Sequence, residues 1–253
     1  MIFLANGLRK RLGNDLHCFA LICTAVAHDC GYMGKSNLFW VATEDAKAKK
    51  WNNEGVNENE HVEFAIECFK NHRVFENCAK EVKEETLKIL KNAILYTDMT
   101  KHERLVQDFA EALKRETQRR DDDDKEVKYF RDWENREEVH LALAYVLHCA
   151  YILNGCRPWH VAKKWSDLIT EEFCKQGDVE KQLGFKQLTG KHVDRTLKTE
   201  ITSSEQAVDF SERIVEPLYR VLASALPEAM EPIVVRLKEN TEKHKDRMKN
   251  RSV

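Results

Sequence analysis

Apolar residues recur every three or four positions along most of this chain, which is the spacing of one face of an α-helix. Val62, Ala65, Ile66 and Phe69 form one such stripe. Nine glycines and four prolines occur in the 253 residues, too few for a turn-rich sandwich or barrel. The sequence therefore predicts an all-α fold with long uninterrupted helices.

The run from Val139 to Leu153 is almost wholly apolar. A helix that is apolar on every side has to be enclosed by other elements, so we expect this run to form a buried central helix. Three amphipathic stretches follow it, over residues 161–175, 204–224 and 228–248. These stretches predict helices that each bury one face.

Polar segments punctuate this helical pattern. Residues 51–59 predict a loop with a helix start near its end, where an asparagine can cap the first amides. A charge block predicts a solvated loop near 116–127. We expect a single helical domain over 1–248 and a frayed tail over 249–253.

Charge and targeting signals narrow the function classes. Basic and acidic residues nearly cancel, 41 against 43, which argues against a nucleic-acid partner. Arg9, Lys10 and Arg11 precede the apolar run 16–27 and resemble the start of a signal peptide. That run is too short to span a bilayer, so we interpret it as a core helix of an intracellular protein, cytoplasmic or organellar, without a membrane span.

The eight cysteines lie inside apolar runs and form no C-x-x-C pair. This pattern predicts buried, reduced thiols rather than a disulfide framework or a metal cluster.

His28 and Asp29 end the first apolar run and form the clearest candidate for chemistry. A neutral imidazole nitrogen beside a carboxylate is a combination that binds divalent metals. Taken by itself, the pair is weak evidence for a metal site, and a structural histidine that is hydrogen-bonded in the core is the favoured interpretation.

The motifs downstream occur in a recognisable order. His28-Asp29-x-x-x-x-Gly34-x-x-Asn37 resembles H-D-x-x-H-x-G-x-x-N of the class I 3',5'-cyclic-nucleotide phosphodiesterase catalytic domain. Further along, Glu58 to His61 resembles that family's E-N-H-H, Thr97 to His102 its T-D-M-S-K-H, His148 to Pro158 its H-x-A-D-x-x-N-P, and Trp165 to Asp178 its W-x-x-x-x-x-E-E-F-x-x-Q-G-D.

The resemblance implies an all-helical HD-type metallohydrolase fold, here lacking its N-terminal helices, and an ancestral hydrolysis of cAMP or cGMP to the 5'-monophosphate. In the family, two histidines and two aspartates bind zinc, and one aspartate is shared with magnesium. A histidine from an upstream H-N-x-x-H motif protonates the leaving oxygen. This chain has no counterpart of that motif.

Several metal-site positions depart from the family pattern. His28 and Asp29 match one zinc histidine and the bridging aspartate. Tyr151 stands where the late zinc aspartate is expected, and a neutral phenol is a poor substitute for a carboxylate. Tyr32 and Glu60 replace two further histidines. The resemblance therefore implies a vestigial metal site and no confident catalytic residue.

The resemblance also assigns residues to the surroundings of the metal-bound waters and to the nucleotide pocket. Ala207 occupies the position of the purine-binding glutamine, and Gln206 precedes it by one residue, which turns its side chain by about 100°. The residues that match those around the metal waters are Glu58, His61, Thr97, Asp98 and His148, and those that match the nucleotide pocket are Asn154, Ile169 and Phe210.

We therefore expect a catalytically inactive homologue that serves as a structural or interaction subunit of a larger protein assembly and binds cyclic nucleotide weakly. In this interpretation the chain needs no cofactor. The alternative is an active phosphodiesterase with zinc and magnesium, whose missing motif comes from an incomplete gene model or a partner chain.

Overall fold

A computed structural model of the chain describes residues 15–118, 130, 133, 135–185 and 200–249. Every regular element in these ranges is helical, which confirms the predicted all-α fold. None of the described helices is long and apolar enough to cross a membrane. The α-helices are α1 (Asp15–Ala27), α2 (Asn37–Ala42), α3 (Ala46–Lys50), α4 (Val56–Asn71), α5 (Lys80–Leu95), α6 (His102–Gln118), α7 (Arg136–Tyr151), α8 (Trp159–Gln182), α9 (Glu200–Phe210), α10 (Glu216–Ala225) and α11 (Pro227–Lys249).

Within the described residues, three shorter helical turns connect these helices. They are two 3₁₀ turns, Met99–Lys101 and Leu153–Cys156, and a π-helical turn, Ser211–Val215, between α9 and α10. The described residues divide into two compact units. The first contains residues 15–32, 55–118, 130, 133, 135–151 and 221–229, and the second contains 33–54, 152–185, 200–220 and 230–249.

The centre of the first unit is α7. Nearly every residue of this helix from Val139 to Cys149 is buried, which confirms the prediction of a central helix. The ring of Tyr145 stacks on that of Phe109 with centroids 4.0 Å apart, and both side chains are fully buried. The helix ends at Tyr151, slightly before the end of the apolar run.

A second apolar cluster in the first unit joins α1 to α4 and α5. Ala27 packs there with Val62, Ala65, Leu90 and Ile94. The run 16–27 is therefore a helix, as predicted, but it is not enclosed as a core helix: only one face is buried, and Phe19, Ile22 and Val26 are exposed. Ile66 is an exception to the predicted stripe on α4, because about a third of it is exposed; it lies about 100° around the helix from Ala65.

In the second unit, two polar side chains hold loops whose conformation the sequence pattern does not predict. Gln176 on α8 accepts a hydrogen bond from the Ser36 amide (2.7 Å) and donates one to its hydroxyl (3.0 Å), which secures the start of α2. Asn240 on α11 donates to the carbonyls of Gly155 and Arg157, each at 2.8 Å. These bonds hold the 3₁₀ turn that contains Asn154.

The helix start predicted in the polar loop 51–59 lies at Val56, but its cap is not an asparagine. Gly55 caps α4 in the left-handed conformation, with φ of 50° and no side-chain hydrogen bond. The prediction of an asparagine cap was therefore wrong. A glycine serves here because this backbone region strains residues with a Cβ atom.

Buried thiols were predicted for all eight cysteines, and this holds for only four of them. Cys18, Cys149, Cys156 and Cys174 are buried, whereas Cys23, Cys30, Cys68 and Cys78 are half-buried. The half-buried residues lie on or after α1 and α4, near the edge of the first unit's core. All eight thiols are free.

Two predicted segments fall largely outside the described residues. The charged loop expected near 116–127 begins within α6, which continues to Gln118, and residues 119–127 are not described. The tail expected at 249–253 begins at the last residue of α11, and residues 250–253 are not described. These segments and the single domain over 1–248 stay predictions.

Candidate functional site

His28 and Asp29 lie in the turn that follows α1 in the first unit. The Nε2 atom of His28 is 3.1 Å from Oδ2 of Asp29, and Nδ1 of His61 on α4 is 4.0 Å from Oδ1 of the same carboxylate. Gly31 closes the turn with a left-handed φ of 76°. The fold thus brings His61 to the His28-Asp29 pair, as the resemblance implies.

The hydrogen bonds of His28 define its protonation state. Its Nδ1 donates to the Ala25 carbonyl at 2.9 Å, so the contact of Nε2 with Asp29 requires a second proton on the ring. Burial lowers the pKa of His28, but the hydrogen bond and charge of Asp29 outweigh burial and raise it overall. Burial likewise opposes the charge of Asp29, whose pKa is nevertheless lowered by His28 and His61.

Tyr151, at the end of α7, faces this pair. Its ring centroid is 6.1 Å from that of His28 and 5.1 Å from that of His148. The hydroxyl donates to the Thr97 carbonyl at 3.2 Å and contacts the Met99 sulfur at 2.7 Å. The phenol is therefore hydrogen-bonded to the segment that follows α5.

The pKa of Tyr151 is raised far above its ordinary value. Burial is the main cause, and the carboxylates of Glu58, Asp29 and Asp98 add to it. Neighbouring negative charges and burial both disfavour the phenolate, so the phenol is neutral at pH 7.

Acidic and amide groups converge on Gly55. A Cβ atom added there would lie 3.4 Å from Nδ2 of Asn59, 3.5 Å from Oδ2 of Asp98 and 3.6 Å from Oε2 of Glu58. The other oxygen of Asp98 accepts hydrogen bonds from the amide (2.9 Å) and hydroxyl (2.8 Å) of Thr100. Glu58 and Asp98, predicted to support metal-bound water, therefore both lie close to Gly55.

His148, which contacts Tyr151, is paired with a second buried histidine, His102. The Nδ1 atom of His148 donates to the Tyr96 carbonyl at 2.8 Å, and its Nε2 is 2.9 Å from Nδ1 of His102. Burial lowers the pKa of both rings, that of His148 to about 4. With both rings neutral, His102 donates this hydrogen bond and His148 accepts it.

These residues do not fit the zinc site that the family implies. Within the described part of the chain, no group of three or more histidine, cysteine or acidic side chains is arranged to hold a metal. The Tyr151 hydroxyl donates to the Thr97 carbonyl, whereas a zinc ligand must present a lone pair, usually on a deprotonated group. We therefore derive no metal-dependent step from this site.

The predicted pocket residues lie in the second unit. Asn154 is half-buried in the 3₁₀ turn, Ile169 lies on α8, and Phe210 ends α9. The two apolar side chains are each 39% exposed, which leaves them free to contact a ligand. Gln206 accepts a hydrogen bond from the Thr170 hydroxyl at 3.0 Å, so its amide oxygen is already engaged between α9 and α8.

The sequence patterns missed several partners of the site residues. The ring of Tyr32 meets His61 edge-on at 6.1 Å, and Asn59 donates to the Gly55 carbonyl at 3.0 Å. The bond from Tyr151 to Thr97 uses a backbone carbonyl, which carries no side-chain signature. The one sequence signal for these contacts is a residue that differs from the family motif, such as Tyr32 in place of a histidine.

Solved structures support the fold. The phosphodiesterase domain of the Salpingoeca rosetta rhodopsin phosphodiesterase is similar, with 22% identity and a TM-score of 0.81, over 94% of this chain and 68% of that chain. The phosphodiesterase domain of the RhoPDE fusion protein from the same choanoflagellate is also similar, with 21% identity and a TM-score of 0.83, over 98% of this chain and 76% of that chain. The structure of LmjPDEB1 in complex with IBMX is similar as well, with 23% identity and a TM-score of 0.83, over 98% of this chain and 70% of that chain.

The family assignment rests on a sequence match that extends over most of the chain. The model of the 3'5'-cyclic nucleotide phosphodiesterase family matches residues 1–237. The motifs centred on His28-Asp29, Thr97-Asp98 and His148 fall inside that range and come together in the first unit. This chain belongs to the 3'5'-cyclic nucleotide phosphodiesterase family.

Proposed function

We propose that this chain uses the phosphodiesterase fold as a structural or interaction subunit of a larger protein assembly and does not hydrolyse cyclic nucleotides. The observation that carries the proposal is the state of Tyr151. Its hydroxyl donates to Thr97 and contacts Met99, and burial with three nearby carboxylates keeps it neutral. A carboxylate is expected at this position in an active family member.

The number of available metal ligands also supports the absence of hydrolysis. Zinc in hydrolytic sites has at least three protein ligands, and only His28 and Asp29 match the family's ligands here. Loss of a residue that merely orients a ligand lowers metal affinity or activity by about 10 to 100-fold. Replacing a ligand itself by a neutral phenol is expected to have a larger effect.

Purine recognition is also altered. Ala207 has no amide to hydrogen-bond a base, and the amide oxygen of Gln206 already accepts from Thr170. Ile169 and Phe210 remain partly exposed and could contact a planar ring. Apolar contact without a hydrogen bond gives little discrimination between bases, so we expect cyclic-nucleotide binding to be weak.

An interaction role is supported by the surface of α1. Phe19, Ile22 and Val26 lie on one side of this helix at spacings of three and four residues, and they are 38%, 42% and 76% exposed. Residues 16–27 contain no charged side chain. Exposed apolar side chains grouped on one helix face are typical of surfaces that contact other proteins.

Restoration of the missing groups tests the absence of hydrolysis. The unaltered protein should not hydrolyse cAMP or cGMP above background with magnesium, manganese or zinc present. A Tyr151→Asp, Ala207→Gln double variant should bind metal and nucleotide better, and Tyr151→Phe is the matched control that restores no ligand. Hydrolysis by the unaltered protein that disappears on Asp29→Ala would contradict the proposal.

The alternative is an active enzyme, and two observations favour it. Asp29 still lies near two histidines, and Glu58 and Asp98 both still lie close to Gly55. An upstream motif supplied by a partner chain would add a general acid. The test is a hydrolysis assay on the intact assembly from its natural source, where activity that copurifies with this chain and is removed by a chelator would support the alternative.

A further inference from the structure

A second cluster of titratable side chains lies in the first unit, separate from the His28-Asp29 pair. Nε2 of His140 on α7 is 2.8 Å from Oε1 of Glu85 on α5, and both side chains are largely buried. His17 on α1 is 9% exposed, and its Nδ1 atom is buried without a hydrogen-bond partner. Such an atom is uncommon, because most buried polar atoms in folded proteins are hydrogen-bonded.

Helices α5 and α7 run in the same direction. Glu85 near the start of α5 contacts His140 near the start of α7. At the other ends of these helices, the Thr97 carbonyl just after α5 accepts a hydrogen bond from Tyr151, the last residue of α7. The two pairs are separated by 55 and 54 positions in the sequence, so the register between the helices is nearly constant.

Helix α1 lies along these two helices in the same direction. Its last residue, Ala27, packs with Ile94 near the end of α5. The ring of His28, which follows α1, is 6.1 Å from that of Tyr151 at the end of α7. Because α5 ends one residue after Ile94, the rest of α1 can pack along α5 only by running back towards the start of α5.

This arrangement brings His17 to the level of the Glu85–His140 pair. His17 precedes His28 by eleven residues, about three helical turns, and His140 precedes Tyr151 by the same number. His17 also belongs to the buried face of α1 that packs on α5. Its imidazole therefore lies at the junction of α1 with α5 and α7.

Each helix that meets at this junction contributes charged or titratable groups. They are Asp15 and Cys18 beside His17 on α1, Glu85 and Lys88 on α5, and Arg136 and His140 on α7. The turn after α4 contacts α1 through Phe75 and contains Arg73 and Glu76, whose side chains pair with each other at 3.4 Å. The charged pair in that turn is therefore already matched.

A second proton on the His17 ring is unfavourable at this junction. Burial lowers the pKa of His17, and although Glu85 opposes this effect, His140 and Arg136 add to it. The doubly protonated ring would carry an N–H donor at Nδ1, where the structure provides no acceptor. A buried charge without a partner is destabilising, so the docked helix favours the neutral ring.

We propose that His17, Glu85 and His140 form a pH-sensitive contact that holds α1 on α5 and α7 at neutral pH and releases it in acid. Release lets water solvate the protonated His17 ring and leaves the Glu85–His140 pair between α5 and α7. The His28-Asp29 pair follows α1 directly, so release would also move this pair away from α4. The contact thereby couples the candidate site to pH through a residue outside that site.

The pH range follows from the linkage between protonation and release. In the released helix His17 has the ordinary pKa of 6.5, whereas in the docked helix burial lowers this pKa. The free energy that holds α1 in place is therefore constant above about pH 7 and decreases as the pH falls below 6.5. Uptake of one proton increases the released population by at most about tenfold per pH unit, so we expect a rise of roughly 3- to 30-fold between pH 7 and pH 5.

Hydrogen–deuterium exchange of the full-length protein at pH 7 and pH 5 tests the proposal, with uptake corrected for the intrinsic exchange rate at each pH. We expect exchange of the α1 amides to become faster by that factor. The amides of Ala142 to Val146 in α7 should exchange much more slowly than those of α1 at both pH values. This difference distinguishes local release of α1 from unfolding of the whole unit.

A variant with a neutral side chain at the junction separates His17 from the other histidines. In His17→Gln, the α1 amides should exchange no faster at pH 5 than at pH 7, whereas His72→Gln, at an exposed histidine, should leave the acceleration unchanged. NMR of the C2 proton of His17 in the unaltered protein does not depend on how the variants fold, and its titration midpoint should lie below 6.5.

Four results would each overturn the proposal. They are equal exchange of α1 at both pH values, an acceleration that persists in His17→Gln, equally fast exchange of α1 and α7 in acid, and a titration midpoint of His17 at or above 6.5.

Discussion

His102 and His148 share a hydrogen bond of 2.9 Å between Nδ1 of the first ring and Nε2 of the second. Both side chains are buried, and His148 also donates to the Tyr96 carbonyl. This chain of bonds links the start of α6, the central helix α7 and the end of α5. It requires at least one of the two facing nitrogens to be unprotonated, so it depends on pH.

We predict that the protein loses stability as the pH falls from about 6.5 to 4. The unfolded state binds a proton on His148 near the ordinary pKa of 6.5, whereas in the folded state burial lowers this pKa to about 4. The free energy of unfolding should therefore be constant above pH 7 and fall by up to about 3 kcal/mol at pH 4 from this group. Urea unfolding at a series of pH values measures the change.

His148→Gln tests the assignment of this pH dependence. The variant should be less stable at pH 7, because it loses the bond with His102, and its stability should depend less on pH between 4 and 6.5. His72→Gln, at an exposed histidine, is the control. If the free energy of unfolding changed equally with pH in the His148 variant and in the unaltered protein, other groups would be responsible for the pH dependence.

Zinc binding should be weak. After dialysis, the purified protein should retain well under one equivalent of zinc, because His28 and Asp29 cannot by themselves complete a tetrahedral site. Tyr151→Asp should increase the retained zinc, and Tyr151→Phe should not. Elemental analysis measures the content, and one tightly held zinc ion per unaltered chain would refute the prediction.

Removal of a central aromatic ring should destabilise the first unit. Phe109 is fully buried and stacks on Tyr145 at 4.0 Å, so Phe109→Ala should lower the free energy of unfolding by about 3 to 5 kcal/mol. Phe64→Ala, at a side chain that is 51% exposed, should cost less than about 1 kcal/mol. Chemical denaturation compares the two variants, and similar losses would contradict this account of the core.

The chain should not exist as a free monomer in its natural source. Native mass measurement should find it in a species heavier than 29.6 kDa. Val26→Glu, at the most exposed apolar residue of α1, should reduce this association while the circular dichroism spectrum stays unchanged. A stable 29.6 kDa species without partners or aggregation would count decisively against this prediction.

The helical class, the buried character of the central helix and the family all follow from the sequence. Helical periodicity is local, because side chains three and four residues apart share a face whatever the rest of the chain does. The run from Val139 to Leu153 therefore predicted α7, which ends at Tyr151, and the order of the motifs predicted that His28, Asp29 and His148 would lie in one site.

The partner of each side chain, in contrast, depends on the tertiary structure. The hydroxyl of Tyr151 bonds to the carbonyl of Thr97, Gln206 bonds to Thr170, and the ring of Phe19 contacts that of Phe75. The two residues of each pair are at least 36 positions apart in the sequence. Hydrogen bonds to backbone carbonyls leave no pattern of residue types in a sequence. Such contacts depend on how the helices are docked, and docking follows from burial over whole helix faces rather than from local spacing.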